Sequence, residues 1–427
     1  VNWVRRNLAE VLAVLAIVAC VGEGAVRKWV FRDAGGFGQY GPYFAKDVIF
    51  GLLIMFCRPK GPTDSDGIFR RVLSVGLPVT IAGAALSTAS GFSAVGALLS
   101  LRSLVVLPLL CYFAVPRLRA AKLGHVMLVI AVLLFGNALL GMVQYSSPAD
   151  GVVNFYANEN VSNAVAFEEN VRAVGTFSYI TGYANFATVG AWAGLVLVSL
   201  ARGRLMYVAT GWATFVAGLM AAMASISRGT VLIVLGLLLT WVMWGNRSAA
   251  SWLKGAAGVT AILVLGFAFN LTPLFMRLGN TVWERHEASE ESVEERVTDP
   301  IEQVLPAADL TFTGRGFGLE QVGGVFADYG VMSFRTFEYQ FPRLVLETGV
   351  IGLLGFLITS TGPIYAMFAR GRQIADPDIK RILATTIFLL GSFFYINVVF
   401  NHIASFFAWI IAALVLAYTD RYSLEAQ

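Results

Sequence analysis

Residues 123–145 read LGHVMLVIAVLLFGNALLGMVQY, with no Asp, Glu, Lys or Arg among them. A helix rises about 1.5 Å per residue, so a run of this length covers the roughly 30 Å of a bilayer's hydrocarbon. In lipid, every backbone N–H and C=O must be satisfied internally, which a helix achieves within one segment. The stretch therefore reads as a membrane-spanning helix. Comparable apolar runs lie at about 7–22, 43–57, 72–90, 93–115, 181–201, 205–224, 229–245, 253–272, 342–369, 382–400 and 402–419. Twelve spans result, the second of them short.

Composition agrees. Of the 427 residues, 57% are hydrophobic and only 14% charged, and the mean hydropathy is +0.69. No soluble domain of this length has that balance. The net charge of +4 divides among loops on two sides of a membrane and is no nucleic-acid signal. Cys20, Cys57 and Cys111 all fall in apolar runs, which predicts buried thiols and no disulfide framework. Ile17-Val18-Ala19-Cys20 loosely imitates a lipoprotein cleavage box, but residues 7–22 are read as an uncleaved first helix.

The expected fold class is an all-α polytopic membrane protein with about 12 transmembrane helices and one large extracytoplasmic loop subdomain. Spans one to nine occupy residues 1–272, the loop 273–341, and the last three spans 342–427. Arg5, Arg58, Arg70, Arg117, Arg202, Arg247, Arg370 and Arg421, with their cationic neighbours, all land on one side of that topology. Cationic loops stay in the cytoplasm, so both termini are expected there. A loop as long as 273–341 is expected to carry function. Within it Val282, Trp283, His286, Val293, Val297 and Ile301 recur at helical spacing opposite a glutamate-rich face. That pattern predicts an amphipathic helix lying on the membrane or packed over the bundle.

The opposite side still carries Arg172, Arg228, Arg277, Arg285, Arg296, Arg315, Arg335 and Arg343. Planar, permanently charged forks massed away from the cytoplasm suggest an anion to be held, phosphate or diphosphate above all. Three segments stand out. Arg172-Ala-Val-Gly175-Thr-Phe177 runs toward Tyr183-Ala-Asn185. Ser227-Arg228-Gly229 opens the eighth span, where free helical N–H groups favour an anion. Gly314-Arg315-Gly316-Phe317-Gly318 has glycines suited to tight turns and close ligand approach, and it leads to Arg343 and the Glu347-Thr-Gly349-Val-Ile-Gly352 step. Structural ion pairs with loop glutamates are the alternative role for each of these arginines, and Arg343 and Glu347 stand one helical turn apart. Arg102 falls inside an apolar run, so either its helix starts later or the side chain faces a cavity. His402, beside Asn401, sits at the turn before the last span. Asp64-Ser-Asp66 and Asp376-Pro-Asp378 read as ordinary loop residues. No metal and no cofactor are expected.

These segments, in this order and on one side, resemble the O-antigen polymerase and O-antigen ligase superfamily (Wzy and WaaL). Residues 23–32, EGAVRKWVFR, look like its exopolysaccharide branch. The resemblance implies a GT-C-like enzyme of the bacterial inner membrane with its active site facing the periplasm. It would polymerise undecaprenyl-diphosphate-linked oligosaccharide repeat units without a metal. Donor and acceptor would both be lipid-linked glycans, with membrane lipids, a chain-length regulator and a flippase as partners and no nucleic acid. Arg172, Arg228 and Arg315 would bind the diphosphate, with Arg343, Arg102 and His402 as additional contacts. Ligases of the group carry a His-Asn pair nine residues before the Glu of the Glu-Thr-Gly step. Here Glu338 and Tyr339 stand there, so the resemblance implies Glu338 as general base. A ligase acting on lipid A core or protein, and a transporter of an anionic or lipid-linked substrate, are the alternatives.

Overall fold

The computed structural model describes residues 7–31, 37–59, 66–155, 166–167, 170–244, 272–287, 293–319, 339–396 and 398–425. It is 83% helical. Among the described residues, nine helices are long and apolar enough to cross a membrane. The protein is an all-α polytopic membrane protein. Among the described residues, a short antiparallel pair, β1 (Ala166–Phe167) against β2 (Asn170–Val171), joins the helices.

In chain order the helices are α1 (Leu8–Ala25), α2 (Phe37–Phe56), α3 (Asp66–Thr88), α4 (Ala94–Leu101), α5 (Leu107–Leu118), α6 (Leu123–Tyr145), α7 (Ile180–Leu200) and α8 (Leu205–Ala224). There follow α9 (Arg228–Met243), α10 (Thr272–Glu287), α11 (Val293–Glu302), α12 (Val304–Leu310), α13 (Gln340–Gln373), α14 (Pro377–Ile396) and α15 (His402–Glu425). A π-helical turn at Val26–Val30 extends α1, and another at Arg102–Val106 joins α4 to α5. The ninth expected span, 253–272, lies almost wholly outside the described residues.

The quoted stretch forms α6 over the same limits. Its inward positions, Val126, Ile130, Leu134 and Asn137, are buried, while Val132 and Leu139 are about 70% exposed. Apolar side chains facing outward along a long helix are what lipid solvates.

Two compact units divide the chain. The first comprises Val1–Cys57, Ala120–Ser289 and Arg370–Leu389; the second comprises Arg58–Arg119, Glu290–Ala369 and Leu390–Gln427. In the first, α7 is buried almost all round, because small residues let neighbours close in. A Cβ on Gly194 would come within 2.6 Å of the Gly211 carbonyl, and one on Gly211 within 2.7 Å of the Gly194 carbonyl. Polar groups within this apolar core find partners: Trp192 Nε1 donates to Thr386 Oγ1 and Trp241 Nε1 to Ser199 Oγ. In the second unit α15 packs on α5, and Arg119 pairs with Asp420 at 2.9 Å. The side chain of Gln340 donates to the Phe394 carbonyl and accepts from Val399 N, tying the start of α13 to the end of α14.

Two expectations need correction. The first helix does not stop at residue 22. It continues through the π-turn to Val30, because Glu23, Arg27 and Lys28 find partners inside the protein. The tenth span is not one rod: Gly349, at φ 71 and ψ 177, breaks α13. The amphipathic stretch is helical in both of its described parts, α10 and α11. Leu278 and Thr281 are buried on α10, whereas Trp283 and Ile301 are each 61% exposed.

Candidate functional site

In the first unit the site is built on the turn between α8 and α9. Ile226 sits there at φ 49, a left-handed conformation that a β-branched side chain rarely adopts. Its N–H bonds back to the Met223 carbonyl, and Ser227 precedes the first residue of α9, Arg228. The carbonyls of this turn point at cationic side chains. Arg172 Nε donates to the Ser225 carbonyl at 3.0 Å, and Arg285 Nη1 donates to that of Ile226. Arg228 Nη1 lies 3.2 Å from His286 Nδ1; since a guanidinium only donates, Nδ1 accepts. Beside them, Arg277 Nη2 donates to Asn170 Oδ1 at 3.1 Å. Four guanidiniums and an imidazole thus gather on one turn and the β2 strand next to it. Arg172, Arg228, Arg285 and His286 are only partly buried, so the cluster keeps access to solvent.

Arg172 owes its place to a clamped segment. Ala173 N donates to the Ala224 carbonyl at 3.0 Å. Gln144 Oε1, on α6, accepts from Val174 N and Gly175 N at 3.0 and 2.7 Å. Its Nε2 and Lys28 Nζ both donate to the Gly175 carbonyl, at 3.2 and 2.7 Å. Asn137 Oδ1 accepts from Thr176 N at 2.9 Å. Gly175 has φ 54 and lies against the Tyr183 ring, so no side chain fits there.

The second unit holds Arg315, Arg343, Arg102 and His402. The three glycines around Arg315 take φ values of 94, 156 and 85, as a tight turn requires. Their close approach is to other helices of the unit. A Cβ on Gly318 would strike the first turn of α4, and one on Gly314 would strike Ser87. Phe317 exchanges backbone bonds with Gly91 and Ser93. Arg315 N donates to the Leu346 carbonyl at 2.6 Å and Val350 N to that of Phe312 at 3.0 Å. The glycine loop therefore replaces helical bonds lost where Gly349 breaks α13.

Arg343 lies with its guanidinium carbon 4.0 Å from the centre of the Phe400 ring. Glu347, four residues on, is fully buried and accepts from Ser100 Oγ. The helix carrying Arg102 does not start late: it begins at Ala94 and runs on through the π-turn. Arg102 is 5% exposed and reaches the carbonyl of His402 at 3.5 Å. His402 is the first residue of α15, where Asn401 Oδ1 caps the helix by accepting from Ile403 N and Ala404 N.

The fold thus brings Arg172 and Arg228 onto one turn, and Arg102 to His402. Glu338, together with Arg335, lies outside the described residues. Asp376 caps α14 and Asp378 pairs with Arg381 at 2.8 Å, so the second Asp-x-Asp has a structural role. Arg277 and Arg285, counted among the anion-holding arginines but given no contact of their own, and His286 join the site. The usable signal was that a guanidinium at 285 and an imidazole at 286 lay in the same loop as the other arginines. Gln144 and Asn137 were missed too, and their signal was a pair of amides two turns apart on one face of an uncharged helix. No family model and no curated protein matches the chain.

Proposed function

We propose that the protein is a membrane glycosyltransferase that holds the diphosphate of a lipid-linked glycan at the α8–α9 turn. The observation that carries this reading is the convergence of Arg172, Arg228 and Arg285 on residues 225–228. Guanidinium forks bind phosphate oxygens bidentately, and the N-terminus of α9 adds backbone N–H groups of the same polarity. In the finer reading, both termini lie in the cytoplasm and the site faces the periplasm of a bacterial inner membrane.

The reaction joins two undecaprenyl-diphosphate-linked repeat units. An acceptor hydroxyl oxygen attacks the anomeric carbon of the donor glycan. The bond from that carbon to the diphosphate oxygen breaks, and undecaprenyl diphosphate leaves with the electron pair. The hydroxyl proton passes to a carboxylate, for which the resemblance supplies Glu338. Arginines stabilise the charge that grows on the leaving group, a role that fixed donors fill best in a site with little water. The resemblance adds Arg315 to the diphosphate contacts, and Arg343 to the acceptor side.

A second reading, transport of an anionic or lipid-linked substrate, draws on two observations. Gly349 interrupts α13, and Arg102 and Glu347 are buried in long apolar helices. Discontinuous helices and intramembrane charges are common in transporters. Purified protein in liposomes with a lipid-diphosphate-linked repeat unit separates the two. Longer glycans on lipid support the transferase, and movement of unextended substrate across the bilayer supports the transporter.

A further inference from the structure

Away from the α8–α9 turn, the end of α1 buries an excess of positive charge. Glu23, Arg27 and Lys28 on α1, and Lys46 on α2, are each at most 3% exposed. Lys46 Nζ sits 2.5 Å from Glu23 Oε2, and Arg27 Nη1 3.5 Å from Glu23 Oε1. Lys46 also donates to the Tyr43 carbonyl, and Arg27 Nη1 to Ser178 Oγ at 3.1 Å. Arg27 and Lys46 thus share the one carboxylate of Glu23. Burying net charge in a low-dielectric interior is costly unless a counter-charge completes it.

Arg27 is the member least satisfied by the protein. Its contact with Glu23 is the longest of the set, and its buried Nε has no hydrogen-bond partner among the described residues. It lies on the π-helical turn Val26–Val30, and such turns in helices recur at functional sites. The same turn presents Trp29, Val30 and Phe31 outward, 40%, 68% and 38% exposed. Trp29 Nε1 donates to the Val152 carbonyl at 3.4 Å, and Lys28 Nζ lies 4.7 Å from the centre of that indole ring. A buried guanidinium two residues from an exposed indole with apolar neighbours matches the two halves of a phospholipid at the bilayer interface once Arg27 swings outward.

We propose that the π-turn of α1 is a binding site for the phosphate of an anionic phospholipid. Arg27 turns from Glu23 to take the phosphate oxygens as a fork, while Lys46 stays on Glu23 and Lys28 stays on Gly175. The acyl chains lie along Trp29, Val30 and Phe31. Lys28 thereby links the lipid site to the clamped segment that carries Arg172. This site does not depend on the glycosyltransferase reading, and its test measures binding alone.

The experiment is native mass spectrometry of the purified full chain in detergent, titrated with phosphatidic acid, with phosphatidylcholine, and with phosphatidic acid in the presence of inorganic pyrophosphate. Phosphatidic acid is expected to bind about tenfold more tightly than phosphatidylcholine, and Arg27→Gln to remove that preference, a difference of the size one charge-assisted bond supplies. Arg27→Lys should restore part of it. Equal binding of both lipids, or an unchanged preference in Arg27→Gln, overturns the site. Pyrophosphate that competes fully with phosphatidic acid shows a free-anion site and overturns the lipid assignment. If Arg27→Gln does not yield folded protein, Trp29→Ala carries the test. Several-fold weaker phosphatidic acid binding supports the site, and unchanged binding overturns it.

Discussion

Arg172 donates from Nε to the carbonyl of Ser225 at 3.0 Å, across 53 residues of chain. That bond ties the segment before α7 to the turn that opens α9, and it brings Arg172 onto the turn from which Arg228 projects. Only an arginine offers a donor at the branch of its fork in addition to two terminal nitrogens; lysine is a single point charge. The anion-binding reading stands on this pairing.

Replacing Arg228 or Arg172 by Ala is expected to cut glycan extension roughly a hundred- to a thousand-fold, the usual loss when one preorganised donor to a developing anion is removed. Arg172→Lys should recover little, since its single nitrogen cannot hold Ser225 and still present a planar bidentate fork to the ligand. Polymer length on lipid, at matched protein level, reads the effect. Normal chains in both alanine variants would remove the turn from the mechanism.

Glu338→Gln and Arg315→Ala test the residues that rest on the resemblance. Loss of long chains with accumulation of single repeat units is the expected phenotype. Full-length polymer left unlinked to its final acceptor would indicate a ligase, and normal polymer would clear both residues of a direct role.

Gln144→Leu keeps the volume of the side chain but strands Val174 N and Gly175 N, each buried against α6. An unsatisfied buried donor costs about 1–3 kcal/mol. Hydrogen exchange should report it directly, with protection lost at Val174 and Gly175 while α6 itself stays protected. Unchanged protection there would mean the clamp does not hold Arg172.

Glycine positions provide a paired stability test. At Gly349, φ 71 and a Cβ position 2.6 Å from the Phe312 carbonyl make Gly349→Ala destabilising by about 1–3 kcal/mol. Gly136, on the exposed face of α6, has no atom within 4 Å of where a Cβ would stand. There Gly136→Ala should be neutral or stabilising by up to about 1 kcal/mol. Thermal unfolding in detergent compares them, and equal midpoints would contradict the tight docking of the 311–318 loop.

Much of the fold was legible because lipid imposes a one-dimensional rule. An uncharged run such as 123–145 has to become a helix whatever its neighbours are, and α6, α7 and α8 begin and end within a residue or so of the apolar runs. Ser227-Arg228-Gly229 likewise marked the start of α9. Where charge entered a helix, the rule failed. α1 was cut at residue 22 because nothing local shows that Lys46 waits for Glu23, or that the Gly175 carbonyl waits for Lys28. Arg285 looked like one loop arginine among several, because its partner is a backbone carbonyl 59 residues away, and carbonyls carry no sequence signature.

The chain by itself determined that this is a helical membrane protein, since the cost of bare backbone polar groups in hydrocarbon leaves no other solution for such long apolar runs. It also determined which segments concentrate arginine. Which of those arginines share a turn, and that glycines 314 to 318 serve to seat a loop against a broken helix, was decided only by tertiary structure. Hydrogen bonds and steric contacts act over a few ångströms in space, and sequence spacing does not encode that distance between separate helices.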